Sequence, residues 1–157
     1  MSQKEGEAAV DSSRRPKACL IFVRISLAVN IAVLIAVCTV LVAFSSSEPV
    51  IYTWGPPTPG RGILLSIYFA ILVVSIVLLT LHIHTHSAGN TRTAVESMVA
   101  ALLSTQILYK ITTPATAGAA NPVAISNLCI SALHAVTLYL LWHTLKPKIG
   151  STHFEVK

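Results

Sequence analysis

Charged side chains are scarce in this sequence. Asp, Glu, Lys and Arg make up 11% of its 157 residues, against roughly 25% in an ordinary soluble chain. A soluble domain this short buries only about two-thirds of its unfolded surface, so it could not hide an apolar content of 54%. The natural solvent is a bilayer. Cysteine is scarce too. Cys19, Cys38 and Cys129 form no CxxC, and their odd number excludes a fully paired disulfide framework; they read as small apolar filler. Glycine is missing from every long apolar run, so no GxxxG helix-pairing motif exists. Catalytic signatures are missing as well: no GxxxxGKS, no GxGxxG in a strand–helix setting, no HExxH, no GxSxG, and no pair of carboxylates within an apolar run. Hydrolases, ATPases and phosphoryl-transfer enzymes are disfavoured, and the chain is not expected to be an enzyme. The net charge of +5 gathers beside apolar runs rather than in a basic stripe interleaved with aromatics, so nucleic acid is not an expected partner.

What is present is apolar sequence in four long runs. About 20 apolar residues let a helix cross the hydrocarbon of a bilayer, and Ile25 to Phe44 alone supplies that length. The expected fold is an all-α integral membrane protein, a four-transmembrane-helix antiparallel bundle with both termini cytoplasmic. Residues 1–17 read as a disordered polar tail, 18–145 as the membrane domain with spans at about 18–44, 63–82, 94–113 and 122–143, and 146–157 as a second cytoplasmic tail. Arg14-Arg15 is similar to a twin-arginine signal, but the apolar run behind it exceeds the ~7–15 residues of a signal core, so an uncleaved anchor is expected. Arg24 can snorkel to the head groups.

The first loop, 45–62, is rich in Pro and Gly, which argues against regular helix; its Tyr52 and Trp54 suit an interfacial belt. Span three is the weakest, interrupted by Glu96, Gln106 and Lys110, and an interfacial helix is the competing reading. Thr93-x-x-Glu96 matches a capping box, and Asn121-Pro122 is a strong helix start before span four. Lys4, Arg14, Arg15 and Lys17 before span one, Arg92 between spans two and three, and Lys146, Lys148 and Lys157 after span four share one side. The opposite loops hold only Arg61, with Lys110 near the end of span three, so the richer side is cytoplasmic. The location implied is a plasma membrane or bacterial inner membrane.

Three groups of residues could carry function. In "LHIHTH", His82 and His86 share a helical face while His84 points away, and His143 lies comparably far along span four. His82, His86 and His143 could ligate a metal or a haem. The simpler reading is the wet end of a membrane helix, and no cofactor is expected on it. Deeper, Asn127, Ser131 and His134 are spaced by four and three and form one polar stripe on span four, which Glu96 and Gln106 of span three could join. Such residues either hydrogen-bond helices together or line a path or pocket. Last, Ala28, Ala32 and Ala36 make a small-residue packing face on span one. A weak repeat of the two halves would align Thr58 and Gly60 with Thr116 and Gly118, and Ser66 with Ser126.

The expected function is a non-catalytic one exercised through helix–helix or partner contacts, as in an assembly factor or accessory subunit. The alternatives are a small oligomeric transporter or channel using the span-four stripe, and a histidine-ligated metal or haem redox protein. The expected company is the lipid bilayer with a homo-oligomer or a larger membrane complex.

Overall fold

The computed structural model describes residues 17–85 and 89–149. Among them are five helices and no strand: α1 (Lys17–Ala43), α2 (Glu48–Trp54), α3 (Pro59–His84), α4 (Gly89–Ala117) and α5 (Pro122–Ile149). All but the short α2 are long and apolar enough to cross a membrane. Large apolar side chains also cover the outside; Val42, Phe69, Val73, Leu108 and Leu128 are all exposed. Water would penalise such a surface, and lipid would not.

Helix starts and stops explain the differences from the sequence expectations. The first loop contains α2, which was not expected. Ser47 precedes it in extended conformation, and Pro49 falls in its first turn, where a missing N–H costs nothing. Gly55, at φ 79°, ends it. The second long helix starts at Pro59 rather than 63, because the Thr58 hydroxyl accepts from Arg61 N. The third begins at Gly89, a turn before the expected capping box, so Thr93 lies inside it and Glu96 takes Arg92 as an i,i+4 partner at 3.2 Å. It continues through Pro114 to Ala117, where Gly118 at φ 91° turns the chain. Asn121 does cap α5, its Oδ1 accepting from Val123 N at 2.9 Å. The fourth helix runs on to Ile149, beyond the expected end of the span.

The long helices form two hairpins, α1 with α3 and α4 with α5, and packing is tighter within each than between them. One end of the bundle carries Lys17, His84, Gly89 and Ile149 and is termed the terminal end; the loop end carries α2 and the Gly118 turn. Both loop-end connections have the same spacing, Gly55-x-x-Thr58-Pro59 and Gly118-x-x-Asn121-Pro122. The matching positions are therefore Gly55 with Gly118 and Thr58 with Asn121, a different register from Thr58 with Thr116.

The apolar core is divided. Toward the terminal end, one cluster draws on all four long helices: Cys19, Val23 and Leu27, Leu78, Val99 and Leu103, and Leu141. Toward the loop end, the buried cluster of Leu34, Leu41, Val50, Tyr68 and Leu72 belongs entirely to the first hairpin and α2. The bundle is thus sealed at one end, while at the other the hairpins leave space between them.

Candidate functional site

Polar residues occupy the middle of the bundle. Each hairpin is clasped by an amide–hydroxyl–carbonyl chain. In the first, Asn30 Nδ2 donates to Ser75 Oγ at 2.8 Å, which donates to Ile71 O at 2.7 Å. In the second, Asn127 Nδ2 donates to Thr113 Oγ1 at 3.0 Å, which donates to Tyr109 O at 3.0 Å. Two further bonds join the hairpins. Ser26 Oγ and His134 Nδ1 share one of 2.7 Å at mid-bundle, and Asn121 Nδ2 donates to Thr53 O at 3.1 Å at the loop end.

All of the stripe residues are buried: Asn127, Ser131 and His134, and with them Glu96 and Gln106. They do not form one group. Counting from the Thr113–Asn127 contact along the antiparallel pair sets Gln106 level with His134. Glu96 lies ten residues before Gln106, near the terminal end, a separation of roughly 15 Å along the helix. Among the described residues, both ends of the Gln106 amide, the Ser131 hydroxyl and His134 Nε2 have no hydrogen-bond partner. A buried polar atom left unpaired costs stability and calls for an occupant such as water or a solute.

Between this layer and the loop end lies a cavity of about 280 Å³, lined on its polar side by Trp54, Tyr109, Lys110, Ser126 and Asn127. Its apolar wall includes Val33, Val37 and Ile130. A second cavity of about 480 Å³ shares Trp54, Tyr68, Tyr109 and Val123 with the first and extends to Thr113, Thr116 and Asn121. Lys110 is only 3% exposed. Its Nζ donates to the Tyr109 hydroxyl at 2.5 Å, lies 4.5 Å from that ring's centroid, and makes no ion pair among the described residues. The Trp54 indole N–H is buried with no acceptor among the described residues. The rim is held by Arg61, which is buried and donates to Ser45 O at 2.5 Å and Gly55 O at 2.7 Å. A cation there suits the carbonyl-rich C-terminal ends of α1 and α2.

The chain matches no family model, no curated protein and no solved structure.

Sequence reasoning found the stripe but missed the cavity. It set Lys110 near the end of span three, whereas α4 continues seven residues further and Lys110 is buried and lines the cavity. It grouped Trp54 with Tyr52 at the interface, yet Tyr52 is 82% exposed and Trp54 turns inward. The signals available were a Tyr-Lys pair in an apolar run and a tryptophan just before a Gly-Pro turn.

Of the proposed histidine ligands, His82 is buried and His143 is exposed, its ring 4.5 Å from that of Tyr139. His86 lies outside the described residues. Among those described, no three His, Cys, Asp or Glu side chains are grouped to hold a metal. Ala28, Ala32 and Ala36 are all exposed, so this face is turned outward instead of packing within the bundle.

Proposed function

We propose that this chain is a four-span membrane protein that admits a small solute between its two hairpins, with both termini on the cytoplasmic side and the cavity opening away from it. It would serve as a minimal transporter or solute-binding subunit. The observation that carries the reading is the position of the cavity. It lies against a mid-bundle layer with unused hydrogen-bonding groups and on the open side of an apolar seal drawn from every long helix. Helix-to-helix bonding accounts for Asn30, Ser75, Ser26 and Asn127, but leaves Gln106 and Ser131 without a purpose.

The test is flux. The purified protein is reconstituted into liposomes, and uptake of a panel of weak acids, ammonium salts and polyols is followed by stopped-flow light scattering. At least one solute is expected to equilibrate faster than in protein-free liposomes, and His134→Ala should abolish the gain. A panel in which nothing moves faster removes transport.

A second reading rests on a separate observation. The outward Ala28–Ala32–Ala36 face is narrow and smooth enough for close approach of another helix. It suits an accessory or assembly role through contacts in the bilayer, and both roles can coexist in an oligomer.

A further inference from the structure

The polar side of the smaller cavity has a definite charge preference. Lys110 is the cation that lines it, and an ammonium has three donors, of which one goes to Tyr109. The Trp54 N–H, which has no acceptor among the described residues, belongs to a second residue lining the same cavity. Among the described residues, no carboxylate balances them. The acidic residues among those described are Glu48, exposed at the start of α2, and Glu96, fourteen residues before Lys110 and so about 21 Å away along α4. A buried charge left without a counter-charge is costly, and it is relieved by an anion that binds.

The rest of the wall says what kind of anion. Val33, Val37 and Ile130 offer nothing to a polar body, so the ligand has an apolar part. The volume of about 280 Å³ is at or below the low end of the roughly 300–1,000 Å³ of ordinary ligand pockets, too small for a nucleotide or a porphyrin. The Asn127 amide is held by Thr113, itself bonded to the Tyr109 carbonyl, so the group beside Lys110 is oriented before any ligand arrives.

Resting on the solute-cavity reading above, we propose that this cavity binds a small organic carboxylate, its anionic head on Lys110 Nζ and Trp54 Nε1 and its hydrocarbon part against α1 and α5. The acid can come from water or from the bilayer, and the chemistry of the head is the same.

Trp54 reports on its own site. In the full chain carrying Trp142→Phe, Trp54 is the remaining tryptophan. Its fluorescence is followed in nanodiscs during titration with hexanoate, with the more bilayer-partitioned decanoate, and with hexanamide, hexylamine and sodium chloride as comparisons. A saturable change with hexanoate or decanoate is expected, the more effective acid identifying the source. Hexanamide should bind weaker by about tenfold or more, the scale of one charge-assisted hydrogen bond. Lys110→Met should lose the response by a similar factor, and Lys110→Arg should keep it. Should Lys110→Met fail to fold, the acid-to-amide ratio in the parent chain still decides. Equal binding of hexanamide, a response to hexylamine alone, or an equal response to chloride overturns the carboxylate assignment while leaving a solute cavity in place. Silence toward every probe overturns the carboxylate assignment, and the solute-cavity reading then stands or falls on the flux panel alone.

Discussion

Gln106 and Asn30 are both buried amides, yet the structure gives them opposite roles. The Asn30 amide is bonded to Ser75, and the Gln106 amide has no partner among the described residues. Inter-helix hydrogen bonds in membrane proteins average about 0.6 kcal/mol and reach about 1.7, so Asn30→Ala should lower stability by no more than that. An unsatisfied buried polar group costs about 1–3 kcal/mol, so Gln106→Leu should raise stability by roughly 1 kcal/mol while reducing flux. Unfolding in detergent by added denaturant measures both. If Gln106→Leu destabilises as Asn30→Ala does, the Gln106 amide has a structural partner and the mid-bundle layer is adhesive throughout. The stripe of Asn127, Ser131 and His134 was legible in sequence because spacings of four and three fix one helical face whatever lies opposite. Its partners were not legible. Nothing local in the sequence says that Ser26 meets His134 or that Thr113 meets Asn127, because those contacts depend on which helices face each other.

Among the elements, long apolar runs were readable and polar punctuation was misleading. The bounds of α1 differ by a residue from the expected span, because nothing but apolar sequence decides them. Helices α3 and α4 extend further than expected, since Pro59, Pro114 and Gly89 were read as loop, and α5 runs on past the end of its apolar run. Proline breaks a helix only where its missing N–H and its ring meet a preceding turn; at Pro59 there is none, and beyond Pro114 the helix lasts a single turn before Gly118. The extension of α4 supplies Thr116 and Ala117 to the wall of the larger cavity. The cap on α5 is an element-scale device with two functions, because Asn121 both caps the helix and holds Thr53 of α2. Loss of a cap costs about 0.5–2 kcal/mol. Asn121→Asp should keep the cap acceptor but lose the amide donor to Thr53, so most stability is retained and α2 is released. A rise in the hydrogen-exchange rate of α2, with global unfolding little changed, is the expected signature. The outward alanine face belongs at this scale too. Ala28→Leu, Ala32→Leu and Ala36→Leu together should reduce the mass of any complex seen by native mass spectrometry without unfolding the chain, and an unchanged mass would leave that face to lipid.

The whole molecule is asymmetric from end to end. An apolar seal from every long helix closes the terminal half, while the loop half packs one hairpin on itself and leaves a cavity between it and the other. The Ser26–His134 bond sits at the inner edge of the seal, beside Leu27, and the Asn121–Thr53 bond bridges the hairpins at the rim. With packing tighter inside each hairpin than between them, the joint between hairpins is where movement costs least, and in transporters built from parallel repeats the halves shift as units. Access should therefore be one-sided in the conformation described. With Cys19, Cys38 and Cys129 replaced, Val123→Cys tests the cavity wall, since Val123 lines both cavities, and Val99→Cys tests the seal, where Val99 is fully buried. A small membrane-impermeant thiol reagent should modify Val123→Cys from the loop-end face alone and leave Val99→Cys untouched from either face. Solute that drives the hairpins to the opposite arrangement should slow the first reaction and expose the second. Modification of Val99→Cys without solute would mean an open channel instead of a gated cavity, and protection of both positions under every condition would mean a closed bundle whose work is done on its outer surface.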